Sequence, residues 1–91
     1  GFVSIAFESD RPFHVDKFEY FLQEYLPQDV FRAKGILWFE ESPLRNIFQL
    51  SGPRFNIQGE EWCTPQRNQL VFIGRHLDAA QIRQHLTDCL A

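Results

Sequence analysis

The sequence predicts an α+β fold: two layers in the order β-α-β-β-β-α, with a mostly antiparallel four-stranded sheet and two helices on one face. Three observations lead there. Between residues 15 and 26 the apolar side chains Phe18, Phe21, Leu22, Tyr25 and Leu26 recur at helical spacing. Four other stretches are short, rich in β-branched and aromatic residues, and bounded by Gly, Pro or acidic turn residues. The last segment places Ile82, Leu86, Cys89 and Leu90 on one helical face behind a capping sequence. A chain of 91 residues has room for one domain with one core, and its 44% hydrophobic content, with ten Phe, can fill that core.

Taken in order, residues 2–7 alternate with Val3, Ile5 and Phe7 on one side, a first strand that stops in the polar stretch before Pro12. The first helix, residues 15–26, has Asp16 in its first turn and Pro27 as its stop. Residues 30–39 form the second strand and run out at Glu40-Glu41-Ser42-Pro43. Residues 46–57 read as a third strand interrupted at Gly52-Pro53, its halves free to pair with different neighbours. A polar loop over 59–68 precedes the fourth strand at 69–74. Asp78-Ala79-Ala80-Gln81 has the spacing of a capping box and opens a second helix that runs to the end. Short links between strands argue for hairpins, and the helix between the first two strands argues for a crossover joining parallel strands.

Composition excludes several functions. Nine Lys and Arg against twelve Asp and Glu give a net charge of -3, the wrong sign for wholesale nucleic-acid binding. The apolar runs at 36–39 and 70–73 are far shorter than the roughly 20 residues that span a bilayer, so no membrane role is expected. Cys63 and Cys89 are read as reduced thiols in a cytoplasmic protein, because a core this rich in Phe needs no staple. The chain has no Met and enters its first strand at once, so we expect a piece excised from a longer polypeptide.

The second strand carries the most information. Alternation divides it into Phe31, Ala33, Gly35, Leu37 and Phe39 on one side and Val30, Arg32, Lys34, Ile36 and Trp38 on the other. Only the first set can lie under helices without burying unpaired cations. Gly35 is then expected beneath a helix, where a Val would overpack at a cost of about 1–3 kcal/mol. The uncovered set mixes Trp38 and Ile36 with Arg32 and Lys34, a composition enriched in interface cores, and His14 at the mouth of the first helix is a further candidate contact. Arg32 and Lys34 would grip an acidic partner surface or a phosphate; the alternative is a pair of cations lying along an open sheet.

Catalysis is not expected of this chain. Glu40-Glu41 and Glu60-Glu61 are adjacent pairs on loops, which point apart and are read as solvated; His14 and His76 have no partnered nucleophile. His85 and Cys89 lie four apart on the second helix, with Asp88 between them, and are the one candidate metal pair. Without a distant second pair of ligands the signal is weak, and Cys89 also falls on the buried face, so no metal site is assigned.

Residues 30–38, Val-Phe-Arg-Ala-Lys-Gly-Ile-Leu-Trp, resemble the signature strand of the C-terminal domain of CobW-like P-loop GTPases. Arg11-Pro12-Phe13-His14 before a helix, Phe72-Ile73-Gly74 closing a strand, and Leu77-Asp78 opening the last helix with Cys89 near its end resemble the same family in the same order. The likeness covers nearly the whole chain. It implies that residues 1–91 are a single CobW-C-like domain of a metallochaperone or metal-insertion GTPase handling zinc, cobalt or another transition metal, in a family also linked to cobalamin synthesis. It implies no cofactor in this chain; GTP, Mg and the metal belong to the missing GTPase domain. The implied partners are that N-terminal GTPase domain and a metalloprotein client. Gly1, Gly35, Gly52, Gly59 and Gly74 nowhere approach the phosphate-loop spacing, and the family's Cys-x-Cys-Cys motif is absent. The competing reading is an RNA-recognition module, because Lys34-Gly35 followed by Trp38 and Phe39 is similar to a ribonucleoprotein strand. That strand wants alternating aromatics where Ile36 and Leu37 stand.

Overall fold

The computed structural model describes residues 1–91. Five strands form one antiparallel sheet: β1 Val3–Ser9, β2 Val30–Trp38, β3 Arg45–Ser51, β4 Arg54–Glu60 and β5 Asn68–Gly74, in the spatial order β1-β5-β2-β3-β4. Helix α1, Val15–Tyr20, continues into a wider turn at Phe21–Tyr25, and α2 spans Ala79–Thr87. The fold is α+β, as the sequence indicates, with both helices packed through a few apolar side chains against one face of the sheet.

The sheet has five strands where four are expected. The two halves of residues 46–57 do not diverge to different neighbours; they pair with each other as β3 and β4, from Ser51↔Arg54 to Arg45↔Glu60. Gly52 has φ +60 and Pro53 follows it, the sign pattern of a primed two-residue turn whose twist suits a hairpin. A Gly-Pro pair that reads as an interruption is the reversal itself. β4 thereby extends to Glu60, into residues expected to be loop.

β1 and β2 run parallel to each other, as the crossover requires, but β5 is inserted between them and pairs antiparallel with both. The register then aligns continuous rows across the sheet. On the helix side Ile5, Phe72, Ala33, Leu50 and Phe55 form one row, and Phe7, Leu70, Gly35, Phe48 and Ile57 the next. Onto these rows α1 lowers Phe18 and Phe21, and α2 lowers Ile82 and Leu86. Phe18 is the hub, with ring centroids 5.3 Å from Phe13, 5.8 Å from Phe39, 5.7 Å from Phe48 and 6.0 Å from Phe21. Such stacked, tilted and edge-on aromatic pairs add to the stabilisation that burial alone gives.

Three expectations about β2 and α2 need correction. A bulge between Val30 and Arg32 reverses the first two positions, so Val30 is buried and Phe31 faces out. Phe31 finds Phe2 there, at 5.5 Å and edge-on, with the Arg75 guanidinium over the Phe2 ring. Gly35 does lie on the helix side, but what excludes a side chain is not a helix: a Cβ there would sit 1.9 Å from the Gln69 carbonyl oxygen of β5. Finally, α2 stops at Thr87 rather than running to the end, and the chain turns so that Leu90 pairs with Phe13.

The helix ends follow simple chemistry. Asp78 Oδ1 accepts the Gln81 N–H at 3.1 Å, the cap the sequence suggests. The Leu26 N–H reaches back five residues to the Phe21 carbonyl at 2.9 Å, which widens the last turn of the first helix before Pro27. No helix is long and apolar enough to cross a membrane.

Candidate functional site

The face of the sheet opposite the helices carries the residues singled out on β2. Its rows run Ser4, Ile73, Arg32, Ser51 and Arg54; then Ala6, Val71, Lys34, Gln49 and Asn56; then Glu8, Gln69, Ile36, Ile47 and Gln58. Trp38 stands opposite Arg45 at the end of the sheet. Arg32 and Lys34 are exposed, Ile36 and Trp38 half-buried. The ion pairs of the chain are His14–Glu41, Arg45–Glu60 and Arg67–Glu8, so neither Arg32 nor Lys34 has an acidic partner. Shallow depressions on this face are lined by Arg32, Lys34, Gln49, Val71 and Ile73, and by Ile36, Ile47 and Gln69.

His14 is not brought to this face. It stands at the start of α1, its backbone N–H donates to the Cys89 carbonyl at 2.8 Å, and its Nδ1 lies 2.9 Å from Glu41 Oε2. Glu41, expected to be merely solvated, accepts the Val15 N–H through Oε1 at 2.9 Å and so caps the helix that His14 leaves uncapped. The hydrogen bond from His14, and then that from Val15, holds its carboxyl below the ordinary carboxylate range. Glu60 likewise is no loop residue: on β4 it pairs with Arg45.

The other candidate pair, His85 and Cys89, lines a cleft between the helices together with Asp16, Tyr20, Tyr25 and Asp88. The His85 ring stacks on Tyr25 with centroids 4.1 Å apart and planes at 9°, and Tyr20 meets Tyr25 edge-on at 5.5 Å. Sequence spacing gave no sign of this stack, because its partners are far apart along the chain and meet only once both helices share a sheet face. The Cys89 thiol contacts the Lys17 and His85 carbonyls at 3.4 and 3.3 Å. Burial, with Asp88 nearby, pushes it up to about 11, away from the thiolate that metals require. Nowhere do three or more His, Cys, Asp or Glu side chains converge as a metal cage. Cys63 is exposed and free.

The motifs behind the family likeness turn out to brace the fold. Arg11 donates through Nη2 to the Ala91 carbonyl at 2.6 Å, the Pro12 carbonyl accepts the Ala91 N–H at 2.8 Å, and Phe13 is buried between Phe39 and Leu90. Gly74 is needed because a Cβ there would lie 2.1 Å from the Asp29 carbonyl oxygen. Asn68, which the sequence reading overlooked, is fully buried and bonds both Trp38 and Arg11.

Comparison with known proteins agrees with this frame. The chain superposes on the crystal structure of the Zn(II)-bound YjiA GTPase from E. coli with a TM-score of 0.83 and 26% sequence identity, covering 99% of this chain and 30% of that one. A Zn(II)-bound triple mutant of YjiA GTPase gives the same TM-score of 0.83, 26% identity and coverage of 99% and 30%. The chain thus spans 30% of the length of the solved protein it matches. Residues 2–90 match the family described as the cobalamin synthesis protein cobW C-terminal domain, and the chain belongs to that family.

Proposed function

We propose that this chain is the non-catalytic interaction and regulatory domain of a CobW-like GTPase metallochaperone, working in the cytoplasm in the delivery or insertion of zinc, cobalt or another transition metal. GTP, magnesium and the metal cargo belong to the GTPase part of such a protein. The domain acts by contact, on that GTPase part and on a metalloprotein client. What carries the reading, beside the family, is the open face of the sheet: Arg32 and Lys34 stand without acidic partners among Ile36, Ile47, Val71 and Ile73. Two unpaired cations in an apolar setting suit a partner surface that brings carboxylates and a few apolar side chains. The outward positions of β5 are Gln69, Val71 and Ile73, which offer no aromatic platform for stacking bases, so a protein partner fits this face better than RNA.

The test mixes this chain with the separately purified GTPase part of the same polypeptide and follows binding by calorimetry at low and high salt. Saturable binding that weakens with salt, and at least about tenfold with Arg32→Glu/Lys34→Glu, is expected. The chain alone should not hydrolyse GTP. Turnover that survives repurification, or binding indifferent to the double charge reversal, overturns the proposal.

A further inference from the structure

The two edges of the sheet are treated differently. At β1 the Arg83 side chain of α2 donates through Nε to the Ala6 carbonyl at 3.2 Å and so occupies part of the edge. At β4 no hydrogen bond from outside the β3 ladder reaches the backbone, and the strand is exposed along its length except at half-buried Ile57. The turn at Gly52-Pro53 closes on Ser51↔Arg54, which makes that pair hydrogen-bonded to β3 and, by alternation, turns the backbone groups of Phe55, Ile57 and Gly59 toward the free edge. An edge with free amides and carbonyls is a template for another strand.

The sequence of β4, Arg54-Phe55-Asn56-Ile57-Gln58-Gly59-Glu60, complements itself. We propose that β4 pairs antiparallel with β4 of a second copy of this chain, about a two-fold axis at Ile57. In that register the free backbone groups meet in phase: Ile57 with its own counterpart and Phe55 with Gly59, each a hydrogen-bonded pair. Arg54 then stands opposite Glu60, and Asn56 opposite Gln58, in the closer non-hydrogen-bonded pairs. Arg54 is unpaired within the chain, and the Glu60 it faces, which already meets Arg45 of its own β3, would take it as a second cation. On the helix side Leu44 lies over Gly59, where a Cβ would come within 2.6 Å of its Cδ1. The facing Phe55 therefore crosses a glycine and reaches Leu44, bringing together two of the chain's exposed apolar side chains, 55% and 38% exposed. A single strand supplies charge, backbone and apolar complementarity to itself, as an isologous two-fold interface demands. This edge is separate from the outer face of β2, so the inference does not depend on the function proposed above.

The experiment is sedimentation equilibrium over a wide concentration range, with circular dichroism to confirm folding. Wild type should move from the 10.8 kDa monomer toward a dimer as concentration rises. Arg54→Glu places like charges opposite each other, as does Glu60→Lys, and each should raise the dissociation constant about tenfold or more. A mixture of the two variants restores opposite charges at both contacts between position 54 and position 60 of the two copies, leaving only the lysine of Glu60→Lys beside Arg45 within one chain, and should dimerise again. Phe55→Pro removes an outward N–H without touching the β3 ladder and should give a folded monomer. A monomer at every concentration overturns the inference. So does a dimer that persists in folded Phe55→Pro, or one in which the mixed charge variants associate no better than either alone.

Discussion

Asn68 Oδ1 accepts the Trp38 backbone N–H at 2.7 Å, while its Nδ2 donates to the Arg11 carbonyl at 2.8 Å. One fully buried amide thereby ties the start of β5 to the end of β2 and to the loop leaving β1. Asn68→Leu is nearly isosteric but leaves two backbone groups without partners. It should cost about 1–3 kcal/mol for each, read from urea unfolding midpoints. Asn68→Asp keeps the acceptor and loses the donor, so its penalty should grow as pH rises and its carboxyl ionises beside the Arg11 carbonyl.

Gly35 separates two explanations of one residue. If helix packing excluded a side chain, Ala would be tolerated and only Val would hurt. With φ +155 and the Gln69 carbonyl 1.9 Å from the Cβ position, the first carbon already collides with backbone. Gly35→Ala should therefore destabilise by about 3 kcal/mol, at or beyond the top of the overpacking range, and Gly35→Val by little more. Chemical denaturation of the two variants side by side decides it.

The difference at Gly35 shows what a sequence pattern carries. Alternation put Ala33, Leu37 and Phe39 on the buried side and Arg32 and Lys34 on the other, because burying a cation is too costly for the register to slip. It placed Gly35 on the correct side yet not its obstacle, which depends on β5 being inserted beside β2, a topological fact with no local signature. The bulge at Val30 escapes for a different reason: both Val30 and Phe31 are apolar, so either phase is acceptable in the sequence. Gly52-Pro53 was visible as a break but not as a reversal, since its meaning depends on whether the flanking segments pair with each other. Around His14 and Glu41 the signal was weaker still, because a cap supplied from beyond the next strand leaves no spacing to read.

The two thiols should differ in reactivity. Cys63 is exposed, while Cys89 is buried and its thiol pushed up to about 11. With iodoacetamide at pH 8, Cys63 should be modified quickly and Cys89 only after unfolding, as mass spectrometry of the native and urea-treated protein would show. Since the folded value exceeds the ordinary one of 9.0, the thiol's contribution to stability is complete below pH 9.0 and is lost as pH climbs through about 11.

Acid should weaken the fold through Glu41. Its carboxylate accepts from His14 Nδ1 and from the Val15 N–H, and both contacts favour the charged form, which places its folded pKa below the unfolded one. A depressed carboxyl contributes stability that is fully present above its unfolded pKa and drains away as pH falls through the folded value. Glu41→Gln retains an oxygen that can accept from Val15 but has no charge to titrate. The variant should therefore be less stable than wild type at pH 6, and the gap between their melting temperatures should narrow steadily as pH is lowered through the carboxylate range. Glu40→Gln, one residue away with no such side-chain contacts, should show no comparable convergence, so a gap that stays constant with pH in Glu41→Gln would locate the cap elsewhere.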